Sequence, residues 1–195
     1  GLLINEGGAG SVSGDEIVFG VEVTQKVPVW LRLSAIDIPG HGSSPRATTS
    51  VLRIVEALNR IKENPFGPRI IPAVDAYFSG LAVSMDDDWA PAYADMARAI
   101  TDPEFLPALQ DFRPGHHALT RDICSITRMG GSSKINTIPP EAWAELDCRM
   151  LPDRPAEELI ADIEALLEGT GVEVDVIMAF TPAISSTNST LFESI

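Results

Sequence analysis

Two kinds of hydrophobic pattern alternate along this chain. Continuous or alternating apolar runs, typical of strands, occur at residues 2–4, 16–23, 29–36, 119–129, 142–150 and 172–180. Apolar residues at three- and four-residue spacing, typical of helices with one buried face, occur at residues 47–62, 73–85 and 155–167. Arg53 and Arg60 lie off the apolar face of the first of these helices, so we expect them to be solvated.

The order of the elements predicts the fold class. Residues 27–180 are expected to give strand, helix, strand, strand, helix, strand, with a helical insertion over 69–115. This order is the split βαβ, or ferredoxin-like, arrangement, an α+β fold with a four-stranded antiparallel sheet and two helices on one face. The break at Gln25–Pro28 is a candidate domain boundary, which leaves 1–26 and 181–195 as flanking segments.

A histidine stands in the turn between the strand at 29–36 and the helix that follows it. His41 lies between Gly40 and Gly42, and glycine permits backbone conformations and close approaches that other residues resist. Ser44 and Pro45 fit the cap and the first position of the helix, whose N-terminus would suit an oxyanion. The alternative is a surface histidine in a tight turn.

A second group of polar residues flanks the strand at 142–150. Gly130 and Gly131 precede a loop that contains Asn136, and Arg149 lies near the end of the strand. An amide and a guanidinium can hold a carboxylate together. The alternatives are a turn residue at Asn136 and an ion pair between Arg149 and Glu145 or Asp147.

Near the start of the chain, Glu6 follows the apolar run 2–4 and precedes two glycines. A carboxylate at the carboxyl end of a buried strand is well placed to bind a metal ion. The alternative is an ordinary acidic residue in a turn.

Taken together, the stretches around Glu6, His41, Asn136 and Arg149 resemble the aminoacylase and carboxypeptidase family of di-zinc metallopeptidases, which includes succinyl-diaminopimelate desuccinylase. The resemblance implies a lid, or dimerisation, domain at 27–180 in a homodimer, with 1–26 and 181–195 belonging to the catalytic domain or leading back to it. It implies a parent enzyme that hydrolyses peptides or N-acyl amino acids with a free carboxylate, using two zinc ions. Glu6 would ligate zinc, His41 would stabilise the oxyanion in the partner's site, and Asn136 and Arg149 would bind the substrate carboxylate.

The chain lacks other parts of that family's catalytic centre. It contains no His-x-Asp motif, and its one Glu-Glu pair, Glu157–Glu158, opens a predicted helix, where acids complement the helix dipole. It begins and ends within apolar runs, so we expect a fragment of a longer protein that is inactive alone and retains no zinc. The rival functions are an association-only module and a small-molecule-binding regulatory domain of the same fold.

Composition narrows the choice of partners. With 14 Lys and Arg against 28 Asp and Glu, the net charge is −14, which disfavours nucleic-acid binding. No apolar run is long enough to span a bilayer, so we expect no membrane partner and take the cytoplasm as the default compartment. Cys124 and Cys148 lie on neighbouring predicted strands and are expected to be free, buried side chains. His116 and His117 are expected to be structural or exposed strand residues.

Overall fold

The computed structural model describes residues 10–13 and 16–194. The strands are β1 (Gly10–Ser13), β2 (Glu16–Phe19), β3 (Val27–Ile36), β4 (Gly40–His41), β5 (Ile123–Gly130), β6 (Thr137–Ile138), β7 (Glu141–Met150) and β8 (Glu173–Ala179). The helices are α1 (Ser50–Glu63), α2 (Pro72–Ser84), α3 (Ala90–Tyr93), α4 (Met96–Ala99), α5 (Phe105–Phe112), α6 (Pro114–Ala118), α7 (Ala156–Leu167) and α8 (Thr190–Glu193).

A four-stranded antiparallel sheet in the order β5-β7-β3-β8 forms the centre of the fold. The two inner strands, β3 and β7, pair along their whole length, from Val27 opposite Met150 to Ile36 opposite Glu141. The long helices α1 and α7 pack together and cover one face of this sheet. The predicted split βαβ fold is therefore confirmed.

Alternation along β7 explains why one face of the sheet is covered and the other is open. Every second residue from Ala142 to Met150 is buried, and each buried side chain lies under the helices. Successive strand residues point to opposite faces, so the residues between them lie on the open face. There the sheet carries a polar row instead, in which Arg32 stacks on Trp143 and pairs with Glu145.

Helices α2–α6, which lie between α1 and β5 in the sequence, surround a second core. Its centre is Phe78, Tyr93, Met96 and Leu109, all without solvent exposure. The expectation that His116 and His117 are strand residues is wrong, because both lie in α6. The two are structural, as expected, since His116 Nδ1 bonds Tyr93 Oη at 2.5 Å and His117 is buried.

One buried carboxylate joins this insertion to the sheet. Asp122 is fully buried and accepts hydrogen bonds from Arg69 Nη2 (2.9 Å), Arg154 Nη2 (2.9 Å) and the Leu151 N–H (2.6 Å). These donors come from the start of the insertion and from the β7–α7 connection. A buried charge is tolerated when it is fully hydrogen-bonded in this way.

Two expectations about local structure are corrected. Helix α1 starts at Ser50, with Thr49 as its N-cap accepting from the Leu52 N–H, rather than at Ser44 and Pro45. Cys124 and Cys148 are not free but form a disulfide, since they lie directly opposite each other in β5 and β7.

The solvated role expected for Arg53 and Arg60 is also wrong. Arg53 reaches the carbonyl oxygen of Thr170, and Arg60 donates to the carbonyl oxygens of Leu166 and Glu168 at the end of α7. Both arginines therefore clamp α1 to the α7–β8 connection. Cations at a helix C-terminus also complement its dipole.

The segments before β3 and after β8 run side by side. Thr24 forms an antiparallel bridge with Ile184, and the Ser185 N–H donates to the Val23 carbonyl oxygen. The proposed division into 1–26, 27–180 and 181–195 stays a prediction. Within the described residues, no helix has the length and apolar character needed to cross a membrane.

Candidate functional site

Two short strands bring His41 and Asn136 together beyond one end of the sheet. β4 pairs with β6, with His41 opposite Thr137, and the Gly42 N–H donates to the Asn136 carbonyl oxygen at 2.9 Å. The loop after β3 and the loop before β7 therefore form one unit. Both side chains are exposed, so the site they form faces outward.

The surroundings of His41 select its tautomer. The Ser43 N–H donates to His41 Nδ1 at 3.2 Å, and the Ser43 hydroxyl lies 2.8 Å from the same nitrogen. A backbone N–H can only donate, so Nδ1 of the neutral ring is an acceptor and the ring proton lies on Nε2. The hydroxyl can donate as well. The nitrogen that faces outward is thus a hydrogen-bond donor.

Asn136 adds a second donor beside the first. Its Nδ2 lies 3.5 Å from His41 Nε2, a separation too long for a good hydrogen bond between them. Two N–H groups at this spacing can both point at one acceptor oxygen. Such paired donors are what stabilises an oxyanion in acyl transfer.

Buried and charged contacts hold this unit in place. The Asp37 N–H donates to the Pro140 carbonyl oxygen, and the buried Ser50 hydroxyl donates to the Pro139 carbonyl oxygen. The Ile38 N–H and the Arg53 guanidinium hold the pKa of Asp37 below its usual value. The two loops are therefore anchored to α1 by the Ser50 hydrogen bond and by the ion pair between Arg53 and the Asp37 carboxylate.

Arg149 lies far from this pair. It faces the open side of the sheet, where Nε and Nη2 bind the two Asp147 oxygens at 2.8 and 3.1 Å. Trp30 Nε1 donates to the same carboxylate at 3.1 Å. The ion pair with Asp147, one of the alternatives weighed from the sequence, is therefore present, and Nη1 makes no hydrogen bond to any described residue.

Sheet register fixes the separation between the two groups. Arg149 is opposite Pro28 at the start of β3, whereas His41 and Asn136 lie beyond the other end, past Ile36 and Glu141. Eight residue steps of β7 at about 3.3 Å each place Arg149 roughly 26 Å from Glu141. Asn136 and Arg149 of one chain do not converge on one carboxylate.

Glu6 lies outside the described residues. Across residues 10–13 and 16–194, no three His, Cys, Asp or Glu side chains are grouped so that they could hold a metal ion. The described part of the chain therefore offers donors for an oxyanion and no metal centre.

The sequence profile of the peptidase dimerisation domain family matches residues 23–175. The chain belongs to that family. The matched range covers the whole four-stranded sheet except the last residues of β8, together with the insertion and both loops of the site. The family resemblance stated from the sequence is confirmed.

Curated relatives of this dimerisation domain are enzymes of greater length. The chain is 28% identical over 171 residues to an N-fatty-acyl-amino acid synthase/hydrolase of Xenopus tropicalis, covering 86% of this chain and 32% of the relative. It is 24% identical over 175 residues to a probable carboxypeptidase S-like protein of Dictyostelium discoideum, covering 88% and 33%. The dimerisation domain thus spans about a third of the curated relatives it matches.

Solved structures share the fold. A metallo-carboxypeptidase from Sulfolobus solfataricus is 17% identical with a TM-score of 0.54, covering 88% of this chain and 48% of that one. Human carnosine dipeptidase 1 is 11% identical with a TM-score of 0.51, covering 90% and 43%. At these identities the likeness concerns the fold of the dimerisation domain.

Two supporting residues of the site were not singled out from the sequence. Ser43 orients His41, and Asp37 anchors the loop through Arg53. The position of Ser43, two residues from His41, was the available signal. Nothing in the sequence points to Asp37, because its partner Arg53 lies on a helix whose arginines look solvated.

Proposed function

We propose that this dimerisation domain is the lid of a homodimeric hydrolase that cleaves peptide or N-acyl amino-acid amide bonds, and that each lid completes the active site of the partner subunit. The observation that carries the proposal is the outward-facing pair of donors, His41 Nε2 and Asn136 Nδ2, at 3.5 Å. Around them Ile36, Ile38 and Ile135 are exposed, the last of them completely. An exposed apolar rim around polar donors fits a surface that another body covers.

The face we assign to dimerisation is the edge formed by β5 and α1. Val51, Leu52 and Val55 of α1 are exposed, as are Ile126 and Met129 on the same side of β5. β5 is an edge strand, and its unpaired backbone groups can pair with a second copy. A two-fold axis at this edge would align the two β5 strands antiparallel and bury both α1 helices between the subunits.

Antiparallel pairing explains why the two halves of the site lie at opposite ends of one sheet. A two-fold axis across β5 brings the His41 end of one subunit towards the Arg149 end of the other. His41 and Asn136 would then approach a substrate whose carboxylate meets the partner's Arg149. Nη1 of Arg149 bonds no described residue, which supports this role, since Asp147 already orients the guanidinium plane.

In this reading, metal chemistry belongs to the parent enzyme. Two zinc ions, held in part by Glu6, would polarise the amide carbonyl and activate water. The residues described here would orient the substrate and stabilise developing negative charge on the carbonyl oxygen. Removing one such donor typically costs about a hundredfold to a thousandfold in kcat.

Three matched Val→Asp substitutions test the dimer face. Val55→Asp should shift the 195-residue chain from dimer to monomer in sedimentation velocity. Val176→Asp, on the opposite edge strand β8, and Val83→Asp, on α2, should leave the dimer intact. If only Val176→Asp dissociated the dimer, the interface would lie at the β8 edge, and our assignment would be wrong.

Mixed dimers of the parent enzyme test the exchange of site residues. His41→Ala and Arg149→Ala homodimers should both be nearly inactive on substrates with a free carboxylate. In a mixed dimer, one site receives intact His41 from one chain and intact Arg149 from the other, so activity should return to that site. With subunit exchange verified by mass spectrometry, no recovery would show that both residues act within one subunit.

The compartment is inferred from the disulfide. Cross-strand disulfides such as Cys124–Cys148 persist in oxidising compartments and are rare in the cytoplasm, the default taken from the sequence. We therefore infer an oxidising compartment. Thiol alkylation of the protein in freshly lysed source cells tests this, because a cytoplasmic protein would label at both cysteines.

A further inference from the structure

A cavity lined by both apolar and polar residues lies away from the His41–Asn136 pair. This cavity, of about 540 Å³, opens between the C-terminal end of α1, the insertion helices α5 and α6, and the first residues of β5. Small-molecule sites typically measure about 300–1,000 Å³ and combine an apolar lining with a few polar groups. Ile61, Phe66 and Ile123 supply apolar walls here.

Arg121 is the unusual residue of this cavity. Its Nε is shielded from solvent and has no hydrogen-bond partner in the described part of the chain. Its side chain makes no ion pair within the described residues, whereas the partly buried Arg53, Arg69 and Arg154 each bind a carboxylate. Burial lowers the pKa of Arg121 with no opposing carboxylate. The side chain of Arg121 is partly exposed, and a shielded N–H without an acceptor calls for an explanation.

Nearby groups do not supply the missing acceptor. Asp122 is the next residue, but its oxygens are already bound to Arg69, Arg154 and the Leu151 N–H. The backbone of Arg121 is itself fixed, because its carbonyl oxygen accepts from Lys26 Nζ at 2.6 Å. Arg121 therefore lines the cavity without a carboxylate partner among the described residues.

We propose that this cavity is a binding site for a small organic carboxylate with an apolar body, whose carboxylate pairs with Arg121. One uncompensated cation matches one negative charge, and the apolar walls match a hydrocarbon chain rather than a phosphate or a polyanion. The neighbouring cation Lys62 is exposed and already pairs with Glu63, so it adds little. His117 is buried at the same cavity, and burial lowers its pKa, so the ring is neutral near pH 7 and adds no charge.

Octanoate is the probe for the 195-residue chain, with octanol and octyltrimethylammonium as neutral and cationic probes of the same length. Octanoate should bind in a calorimetric titration and shift the Arg121 Nε–Hε resonance in NMR spectra, whereas the cationic probe should do neither. Arg121→Met should weaken octanoate binding by about tenfold to a hundredfold, as expected for a lost charged hydrogen bond. Octanol binding should not change.

Two further variants keep the result interpretable. Arg98→Met removes an exposed arginine elsewhere in the insertion and should leave octanoate binding unchanged. Gln110→Glu adds a carboxylate at an exposed position of the cavity lining, so it should weaken octanoate binding without unfolding the chain. This variant tests the site even if Arg121→Met does not fold. Failure of the wild-type chain to bind octanoate, or equal binding by wild type and both cavity variants, would overturn the proposal.

Discussion

Replacing Asp122 by alanine is expected to destabilise the chain by about 3–5 kcal/mol, the range for removing one partner of a buried ion pair. The carboxylate is fully buried and holds two guanidinium groups and one backbone N–H. Without it, the Leu151 N–H is left without an acceptor, at a cost of about 1–3 kcal/mol. Arg69 loses one charged hydrogen bond and Arg154 loses two. They keep Asp153 and Asp162 as partners, so we expect the lower half of the range.

Urea unfolding and thermal melting, both followed by circular dichroism, measure this loss. At about 2–4 °C per kcal/mol for a chain of this size, a loss of about 3–4 kcal/mol should lower the melting temperature by roughly 6–16 °C. Asp162→Ala is the matched control, because Asp162 binds the same Arg154 from an exposed position and should cost less than about 1 kcal/mol. A loss for Asp122→Ala no larger than for Asp162→Ala would refute the role assigned to the buried network.

Three other predictions concern single features of the fold. Reducing the Cys124–Cys148 disulfide, which spans a sequence separation of 24, should lower the free energy of unfolding by about 3 kcal/mol, and reductant should have no effect on the double alanine variant. Burial lowers the pKa of Lys26 to about 8 from 10.5, so between these values the unfolded chain binds the proton more tightly than the folded one. Wild type should therefore gain stability relative to Lys26→Met as pH rises from about 8 to 10.5, and a flat difference would contradict the burial of the amine. Finally, ¹⁵N spectra of the neutral His41 ring should show the Nε2–H tautomer as the major form in both wild type and Ser43→Ala, since the backbone N–H of position 43 remains. A dominant Nδ1–H form would contradict the assigned tautomer.

The sheet and its two covering helices could be predicted from the sequence because their signals are local. Strand alternation around Leu146 and helical spacing around Ile54 indicate which side chains are buried in the shared core. The sequence predicts too early a start for α1, since Ser44 and Pro45 are good capping residues that instead lie in the turn after His41. Local capping preferences do not show which of several candidate residues the tertiary structure selects.

Contacts between distant segments could not be predicted in the same way. The disulfide depends on Cys124 and Cys148 being directly opposite each other, and a shift of one residue in the pairing of β5 with β7 would place them on opposite faces. Arg53 and Arg60 look solvated because each also reaches backbone carbonyls beyond residue 165, and carbonyl positions carry no sequence signature. Register and carbonyl positions are properties of the folded sheet.

The placement of Arg149 shows most clearly what the fold adds to the motif. In the sequence, Asn136 and Arg149 belong to one stretch, and the family resemblance assigns both to one substrate. The antiparallel ladder between β3 and β7 puts them at opposite ends of a rigid strand, so no movement of the loops within one chain brings them together. If both residues bind the same substrate, as in the dimer we propose, they come from two subunits whose sheets run in opposite directions. On that proposal, loss of the β5–α1 contact should abolish turnover by the parent enzyme even where every site residue is intact.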